Sequence, residues 1–101
     1  MWFDAASSSY HAIFHNMGGC AAVGCHAFSA DGFTWYIAMT PAYTSLVEFE
    51  GGGNITYARR ERPHLVFNSA GQPAFLSNGV QEAWASDHTY TLVQPINVAF
   101  P

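Results

Sequence analysis

The chain has 101 residues, of which 50% are hydrophobic and 10% are charged, and its formal net charge is −4. A chain of this length forms one small domain at most. Its positive charges form no stripe of the kind that nucleic-acid binding requires, so nucleic acid is excluded as a partner. No apolar run approaches the roughly 18 residues of a membrane helix, so no membrane span is predicted.

The pattern of short apolar stretches separated by turn residues predicts an all-β protein. The predicted strands cover residues 1–3, 10–15, 24–29, 33–38, 46–50, 55–59, 64–68, 74–77 and 90–95. "SADGFTW" predicts a tight turn at Asp31 and Gly32, and "EGGGN" and "NSAGQP" predict two further hairpin connections. The sequence therefore predicts a meander of antiparallel hairpins.

The predicted strands fall into two groups, at residues 1–40 and 44–95, and each group has the size of one four-stranded propeller blade. No linker divides the chain, so residues 1–101 are treated as a single segment of about two blades. Two blades cannot close a propeller. A barrel or a sandwich of eight or nine short strands is the alternative, because the local pattern does not determine which edges pair.

The two cysteines and one glycosylation triplet bear on the cellular compartment. Cys20 and Cys25 form a short disulfide loop if the compartment is oxidising, and reduced, half-buried thiols are the alternative. Asn54 begins the N-glycosylation triplet "NIT". These features favour a secretory or extracellular protein. The start of the chain has no signal-peptide pattern, which leaves a cytosolic protein, a mature form or a piece of a longer protein as alternatives.

The stretch "YARRERPH" contains every arginine of the chain, and the chain has no lysine. Strand alternation places Arg59 and Glu61 on one face and Arg60 and Arg62 on the other. Glu61 is then a general acid or an acceptor for a sugar hydroxyl, with an arginine as a bidentate ligand. Composition alone favours the other interpretation, a structural ion pair before a turn that Pro63 fixes.

Three histidines form a second candidate site. His11 and His15 share a strand face, and we expect His26 on the neighbouring strand. Three imidazoles can bind a transition metal or serve as polar groups in a sugar cleft. Histidines in strands more often make ordinary hydrogen bonds, and no HExxH or CxxC motif supports a metal. We therefore predict no metal and no other cofactor.

Aromatic and serine residues add two further observations. Seven aromatic side chains can stack on sugar rings: Trp2, Tyr10, Phe14, Phe28, Trp35, Tyr36 and Trp84. Most of them are expected in a core or an interface. Residues 7–9, "SSS", are predicted as a turn. No serine lies in a GxSxG elbow, so a nucleophilic serine hydrolase is not predicted.

Taken in order, "YHAIFH", "GCHAFSADGFTW" and "RRERPHLVFNSAGQPAFLSNGV" resemble the family 43-like glycoside hydrolases, five-bladed β-propellers of the furanosidase-related clan. The resemblance runs over about residues 2–95. It implies hydrolysis by an aspartate base, a pKa-tuning aspartate and a glutamate acid around a central funnel. Glu61 matches the funnel-facing glutamate. The resemblance makes His26 and Arg62 candidate sugar contacts, and His15 and Trp35 are added as further substrate-binding candidates.

The chain departs from this family pattern at both ends. Relatives have an Asp-Pro motif and a further blade before the strand that corresponds to "MWFD", and about two more blades after the point that corresponds to Pro101. Asp31 lies in a turn and is a poor catalytic base. The chain therefore resembles a central two-blade segment in which Glu61 lacks its aspartate partners.

Two functions follow as expectations. The first is a glycoside-hydrolase-like propeller segment that binds plant- or algal-type polysaccharide, or hydrolyses it when other blades complete the site. The isolated chain is expected to be inactive. The second is a non-catalytic structural protein that joins copies of itself, or a larger assembly, through exposed blade edges. A carbohydrate-binding module is a third, weaker interpretation.

Overall fold

The computed structural model describes residues 1–96, in which nine β-strands and no helix occur. The strands are β1 (Trp2–Asp4), β2 (Ser9–His15), β3 (Gly24–Ser29), β4 (Tyr36–Ile37), β5 (Leu46–Glu48), β6 (Asn54–Thr56), β7 (Arg59–Phe67), β8 (Pro73–Gln81) and β9 (Tyr90–Pro95). The all-β prediction is confirmed. Within the described range, nothing helical has the length and hydrophobicity that crossing a membrane demands.

The strands form three open antiparallel sheets, with orders β1-β2-β3-β4, β5-β6 and β7-β8-β9. Each strand within a sheet pairs with its neighbour in sequence, so the predicted meander of hairpins is confirmed. The first sheet contains four strands, as predicted for residues 1–40. Residues 44–95 contain five strands, as many as the predicted list, but these strands divide between a two-stranded and a three-stranded sheet instead of forming one four-stranded sheet.

The connections at "EGGGN" and "NSAGQP" form as the sequence predicts, whereas Asp31 and Gly32 lie in a longer connection, residues 30–35, and not in a tight turn. In the β5–β6 connection the N–H of Phe49 donates to the carbonyl of Gly53 at 3.1 Å, and in the β7–β8 connection the N–H of Asn68 donates to the carbonyl of Gln72 at 2.8 Å. Between β3 and β4, the Asp31 carboxylate accepts hydrogen bonds from two backbone N–H groups at 2.8 and 2.9 Å. These bonds hold the pKa of Asp31 below its usual value. Local turn chemistry therefore accounts for all three connections.

Strand β7 is the largest departure from the predicted elements. The sequence predicted a break at Pro63, whereas β7 runs through this residue. The pairing register with β8 shifts between Glu61 and His64, and Arg62 adopts a positive φ of 53°. Such a bulge lets a proline, which has no N–H to donate, lie within a strand. It also interrupts the alternation that placed Arg60 and Arg62 on a common face: Arg60 is buried and Arg62 is exposed.

Cys20 and Cys25 are joined by a disulfide, with 6.0 Å between their Cα atoms. The bridge closes the connection between β2 and β3, and Cys25 is completely buried. The side chain of Asn16 orders the same connection, because its Oδ1 accepts the N–H of Gly18 at 2.7 Å and of Gly19 at 3.0 Å. Of the two cysteine states that the sequence left open, the structure contains the disulfide.

The hydrophobic core is small and lies between the second and third sheets. Val47, Tyr57 and Val80 are buried together, with Ile55 and Leu92 packed against them. The hydroxyl groups of Tyr57 and Tyr90 are hydrogen-bonded to each other at 2.8 Å, and this bond raises the pKa of Tyr90 to about 12. Core packing therefore stabilises mainly the second half of the chain.

Arg60 is the most heavily bonded buried side chain of this half. It is 2% exposed, and its Nε donates to Oδ1 of Asn78 at 3.0 Å, Nη1 to the carbonyl of Thr44 at 2.9 Å and Nη2 to Oε1 of Gln94 at 2.7 Å. The guanidinium also lies 4.8 Å from the centre of the Tyr43 ring. Burial lowers its pKa, but an arginine remains charged at neutral pH.

Tyr43 connects this arrangement to the first sheet. Its carbonyl accepts the N–H of Gly24 at 3.1 Å, and the N–H of Ala42 donates to the carbonyl of Gly24 at 3.0 Å. The Tyr43 ring occupies the space where a Cβ at residue 24 would lie, so only glycine fits this position. Gly24, Tyr43 and Arg60 therefore form one continuous contact between the two halves of the described chain.

The predicted ion pair between an arginine and Glu61 is wrong for the part of the chain that the structure describes. There, the one pair within ion-pair distance joins His88 and Asp87 on the surface. Arg60 instead satisfies its donors with neutral oxygen atoms and an aromatic ring. The physical reason is its position on the core-facing side of β7, which places it opposite β8 rather than beside its neighbour in sequence.

We predict that Arg60→Met lowers the free energy of unfolding by about 3 kcal/mol, because it leaves the buried Oδ1 of Asn78 and the part-buried acceptors of Thr44 and Gln94 without their donor. Urea denaturation followed by tryptophan fluorescence measures the change. Arg62→Met is the matched control, since it removes an exposed arginine two residues away, and should change stability by no more than about 0.5 kcal/mol. Equal stability of the two variants would contradict the assigned role of Arg60.

Candidate functional site

A cleft of polar character lies where the end of β2 and the β2–β3 connection meet the start of β7. Its volume is about 600 Å³, which is within the usual range for small-molecule sites. The residues that give it hydrogen-bonding capacity are His15, Asn16, Ser45, Arg59, Arg60 and Glu61. We call this space the Glu61 cleft.

Glu61 reaches this cleft because of how β7 is anchored. Asn78 on β8 accepts a hydrogen bond from Arg60 through Oδ1, and its Nδ2 donates to the backbone carbonyl of Glu61 at 3.3 Å. This single amide therefore fixes two consecutive residues of β7. The Glu61 side chain is half-buried, and its carboxylate forms no ion pair with any described residue. It can therefore accept a hydrogen bond from a ligand.

Arg59 provides the second charged group of the cleft. Its guanidinium lies 4.9 Å from the centre of the Trp84 ring, an arrangement that restrains a long side chain by cation–π attraction. The cleft thus presents an acceptor, the guanidinium of Arg59 and an imidazole, while the guanidinium of Arg60 is buried and bonded within the protein. This set can contact several hydroxyl or ring oxygens of a bound molecule.

The structure brings together only some of the predicted site residues. His15 and Glu61 line the same cleft. Arg62 is exposed at the bulge of β7, and the Trp35 indole donates to the carbonyl of Gly32 at 3.1 Å within the β3–β4 connection. His26 lies in a different cavity. Of the four substrate-binding candidates, only His15 lines the Glu61 cleft, because strand pairing and the bulge place His26, Arg62 and Trp35 elsewhere; their roles as sugar contacts stay predictions.

His26 belongs to a hydrogen-bonded array with His11 and Ser7. His11 Nδ1 lies 2.9 Å from His26 Nε2, and His11 Nε2 lies 3.0 Å from Ser7 Oγ. Both imidazoles are 2% exposed, and the Trp2 ring stacks on His11 with 5.2 Å between the ring centres. The three array residues line a cavity of about 250 Å³ together with Phe28.

The histidine trio that the sequence predicted is consequently divided. His11 and His26 pair across β2 and β3, whereas His15 lies at the far end of β2 in the Glu61 cleft. Within residues 1–96, no group of three or more His, Cys, Asp or Glu side chains is arranged to hold a metal ion. Ordinary hydrogen bonding, the interpretation that the sequence favoured, describes the His11–His26 pair.

The contact between Ser7 and His11 is the feature that sequence reasoning missed. The turn covers residues 5–8, so Ser7 and Ser8 lie in it as predicted while Ser9 begins β2. Strand β1 pairs with β2 in the register Asp4↔Ser9. In that register the side chain of Ser7 lies next to His11, with Oγ 3.0 Å from Nε2. Ser7 lies in no GxSxG elbow; the signal in the sequence is a histidine four residues after a serine, at the start of the strand that follows a turn.

Burial controls the protonation of the two buried imidazoles. It lowers the pKa of His11, although the nearby charge of Asp4 acts in the opposite direction. Burial also lowers the pKa of His26, and the proximity of His11 lowers it further. Both rings are therefore neutral at neutral pH, which lets one of them act as an acceptor for the other.

Asn54, the predicted glycosylation residue, is exposed on β6. Its side chain is accessible on the folded chain, as attachment of a glycan requires. The sequon remains a prediction from the sequence.

Comparison of the chain with protein-family models, with curated proteins and with solved structures gives no match.

We predict that stability falls as the pH decreases below about 6.5, because His11 and His26 must take up protons that the folded state disfavours. The pKa values of His11 and His26 are lower in the folded chain than in the unfolded chain. The stability that the two neutral histidines contribute is therefore complete above about pH 6.5 and is lost as the pH falls toward the folded pKa values. Thermal unfolding at about pH 7.5 and about pH 5.5, on either side of the ordinary histidine pKa, measures the effect.

His26→Gln should reduce this pH dependence, because it removes one of the two buried titrating groups. His88→Gln is the control, since His88 is 90% exposed, and should leave the dependence unchanged. A difference in Tm between the two pH values that is the same in both variants would contradict the assignment.

Proposed function

We propose that the chain is a glycoside-hydrolase-like propeller segment whose Glu61 cleft binds polysaccharide of plant or algal type. The observation that carries this proposal is the cleft itself, an open space of about 600 Å³ in which Glu61, His15 and Ser45 meet. Carbohydrates are bound through many hydrogen bonds to hydroxyl groups, and this cleft offers charged donors, an acceptor and neutral polar groups. The ordered motifs of the sequence support the same family.

The chemistry assigned to Glu61 depends on a second carboxylate. Inverting hydrolysis requires an acid and a base about 6.5–9.5 Å apart, and retaining hydrolysis requires about 5–5.5 Å. Glu61 is the only carboxylate among the described residues that line the cleft. We therefore propose that this chain binds the glycan and contributes the general acid, and that hydrolysis requires carboxylates from other blades.

We predict that Glu61→Gln weakens binding of arabinose- or galactose-containing oligosaccharides about tenfold. A hydrogen bond to a charged acceptor contributes about 1.5 kcal/mol to binding. A loss of about 1.4 kcal/mol lowers the affinity tenfold. Isothermal titration calorimetry measures the affinity. The wild-type chain should bind without releasing sugar.

Glu50→Gln is the matched control for this experiment. It removes the same charge from the exposed β5–β6 connection, outside the Glu61 cleft, and should leave the affinity unchanged. Equal weakening in both variants would assign the effect to net charge. Unchanged affinity in Glu61→Gln would contradict the proposed site.

A second candidate function, self-assembly without catalysis, is favoured by the outer face of the third sheet. Val66, Phe75 and Val93 lie on three adjacent strands and are 48%, 43% and 58% exposed. Val66 on β7 lies directly opposite Phe75 on β8, and Val93 on β9 lies opposite Ser77 on β8. Because Phe75 and Ser77 are two residues apart on one strand, they point to the same face of the sheet. A contiguous apolar patch of this kind is typical of an interaction surface, so we propose that a second copy of the chain covers it.

We predict that the native mass exceeds that of one chain and that Val93→Lys shifts it toward the monomer, because a buried lysine would disfavour the interface. Light scattering coupled to size-exclusion chromatography measures the mass. Met39→Lys, at a fully exposed position in none of the nine strands, is the control and should retain the assembly. A monodisperse wild-type monomer would exclude this candidate function.

A further inference from the structure

The array formed by Ser7, His11 and His26 has the geometry of a nucleophile, a base and a group that orients the base. A serine Oγ lies 3.0 Å from one imidazole nitrogen, and the other nitrogen of the same ring lies 2.9 Å from a second imidazole. Triads of this type are identified by such distances and roles rather than by sequence position. The array lies outside the Glu61 cleft and has no role in the proposed glycan binding.

Two arrangements of protons satisfy the array. In the forward arrangement, Ser7 donates to Nε2 of His11, and Nδ1–H of His11 donates to Nε2 of His26. In the reverse arrangement His26 donates to His11 and His11 to Ser7, whose hydroxyl then turns to Asp4. The carbonyl of Asp4 lies 3.5 Å from Ser7 Oγ, against 3.0 Å for His11 Nε2, so the shorter contact favours the forward arrangement.

The exposure of the three residues suits this division of roles. Ser7 lies in an exposed turn, where a substrate can reach it, whereas His11 and His26 are buried and held by their neighbours. Stacking of Trp2 against His11 restrains the orientation of the base. The negative charge of Asp4, which the backbone N–H of Ser7 holds at 3.1 Å, favours an imidazolium on His11 when it forms.

The adjacent cavity limits the substrate to a small group. Its volume is about 250 Å³, and Phe28 and Ala38 give it apolar walls beside the polar array. A short acyl chain fits such a space, while a sugar residue with many hydroxyl groups would leave them unpaired against these walls. Esters suit the array better than amides, because an alkoxide leaves more readily than an amine.

We propose that Ser7 is a nucleophile that hydrolyses esters of short carboxylic acids, with His11 as general base and His26 as a positioning residue. The activity requires only water and an ester, and it is separate from the glycan binding proposed above.

The reaction balances with these groups alone. Ser7 Oγ attacks the ester carbonyl carbon and its proton passes to Nε2 of His11; the C–O bond to the alcohol then breaks, and the alkoxide takes this proton and leaves. Water attacks the acyl-serine, gives a proton to the same nitrogen and releases the carboxylic acid as Ser7 recovers its proton. No oxidation or reduction occurs.

Labelling by diisopropyl fluorophosphate tests the nucleophile directly, and hydrolysis of p-nitrophenyl acetate tests the activity. Peptide mass spectrometry should find one phosphoryl adduct on Ser7 of the wild-type chain, and p-nitrophenol should be released with turnover. Ser7→Ala, a change in an exposed turn, should abolish both. Ser8→Ala, the neighbouring serine of the same turn, should retain both. Absence of the adduct on the wild type overturns the proposal.

Substitutions of His26 separate positioning from a merely structural role. His26→Leu removes the acceptor for Nδ1–H of His11, so the labelling rate should fall at least about tenfold. His26→Gln supplies an amide oxygen that can accept the same hydrogen bond and should recover part of the rate. Equal rates in the two folded variants, checked by circular dichroism, would overturn the positioning role. Neither assay contains carbohydrate, so both outcomes are independent of the proposed glycan binding.

Discussion

The contact of Arg60 with Tyr43, Asn78 and Gln94 is the interaction on which the rest of the described chain depends. The hydrophobic core between the second and third sheets contains only three fully buried side chains with two partly buried ones, so apolar packing alone gives limited cohesion. The guanidinium bonds Asn78 and Gln94 within the third sheet, and it reaches beyond that sheet to the carbonyl of Thr44 and the ring of Tyr43. Through Tyr43 and Gly24 the same contact extends to the first sheet. Because Asn78 also holds the backbone of Glu61, this arrangement determines one wall of the cleft.

The large apolar side chains that remain exposed relate the fold to the proposed functions. Val66, Phe75 and Val93, on the three strands of the third sheet, are 48%, 43% and 58% exposed. Further blades of a propeller would cover such sheet faces, and so would a second copy of the chain. Both proposed functions therefore share one physical basis. The described residues form a polar cleft, and they leave an apolar sheet surface uncovered.

Local chemistry made part of the fold predictable. Gly52, Asn68 and Asp31 specify connections through short-range hydrogen bonds and permitted backbone angles, so the strands and their hairpin order followed from the sequence. Features that depend on the pairing register between strands could not be predicted from the sequence. The bulge that carries β7 through Pro63 arises from pairing with β8, and it decides that Arg60 is buried while Arg62 is exposed.

Site residues were harder to predict for the same reason. His15 and Glu61 were identified by type and meet in one cleft, but His11, His15 and His26 divide between two cavities once the strands pair. A sequence of 101 residues shows which side chains can carry chemistry, and the non-local pairing decides which of them meet.

Backbone amide chemical shifts, followed by NMR as an arabinose- or galactose-containing oligosaccharide is added, test the central claim most directly. The account predicts shift changes confined to His15, Ser45, Arg59, Glu61 and their neighbours. Changes at another surface, or none, would contradict it.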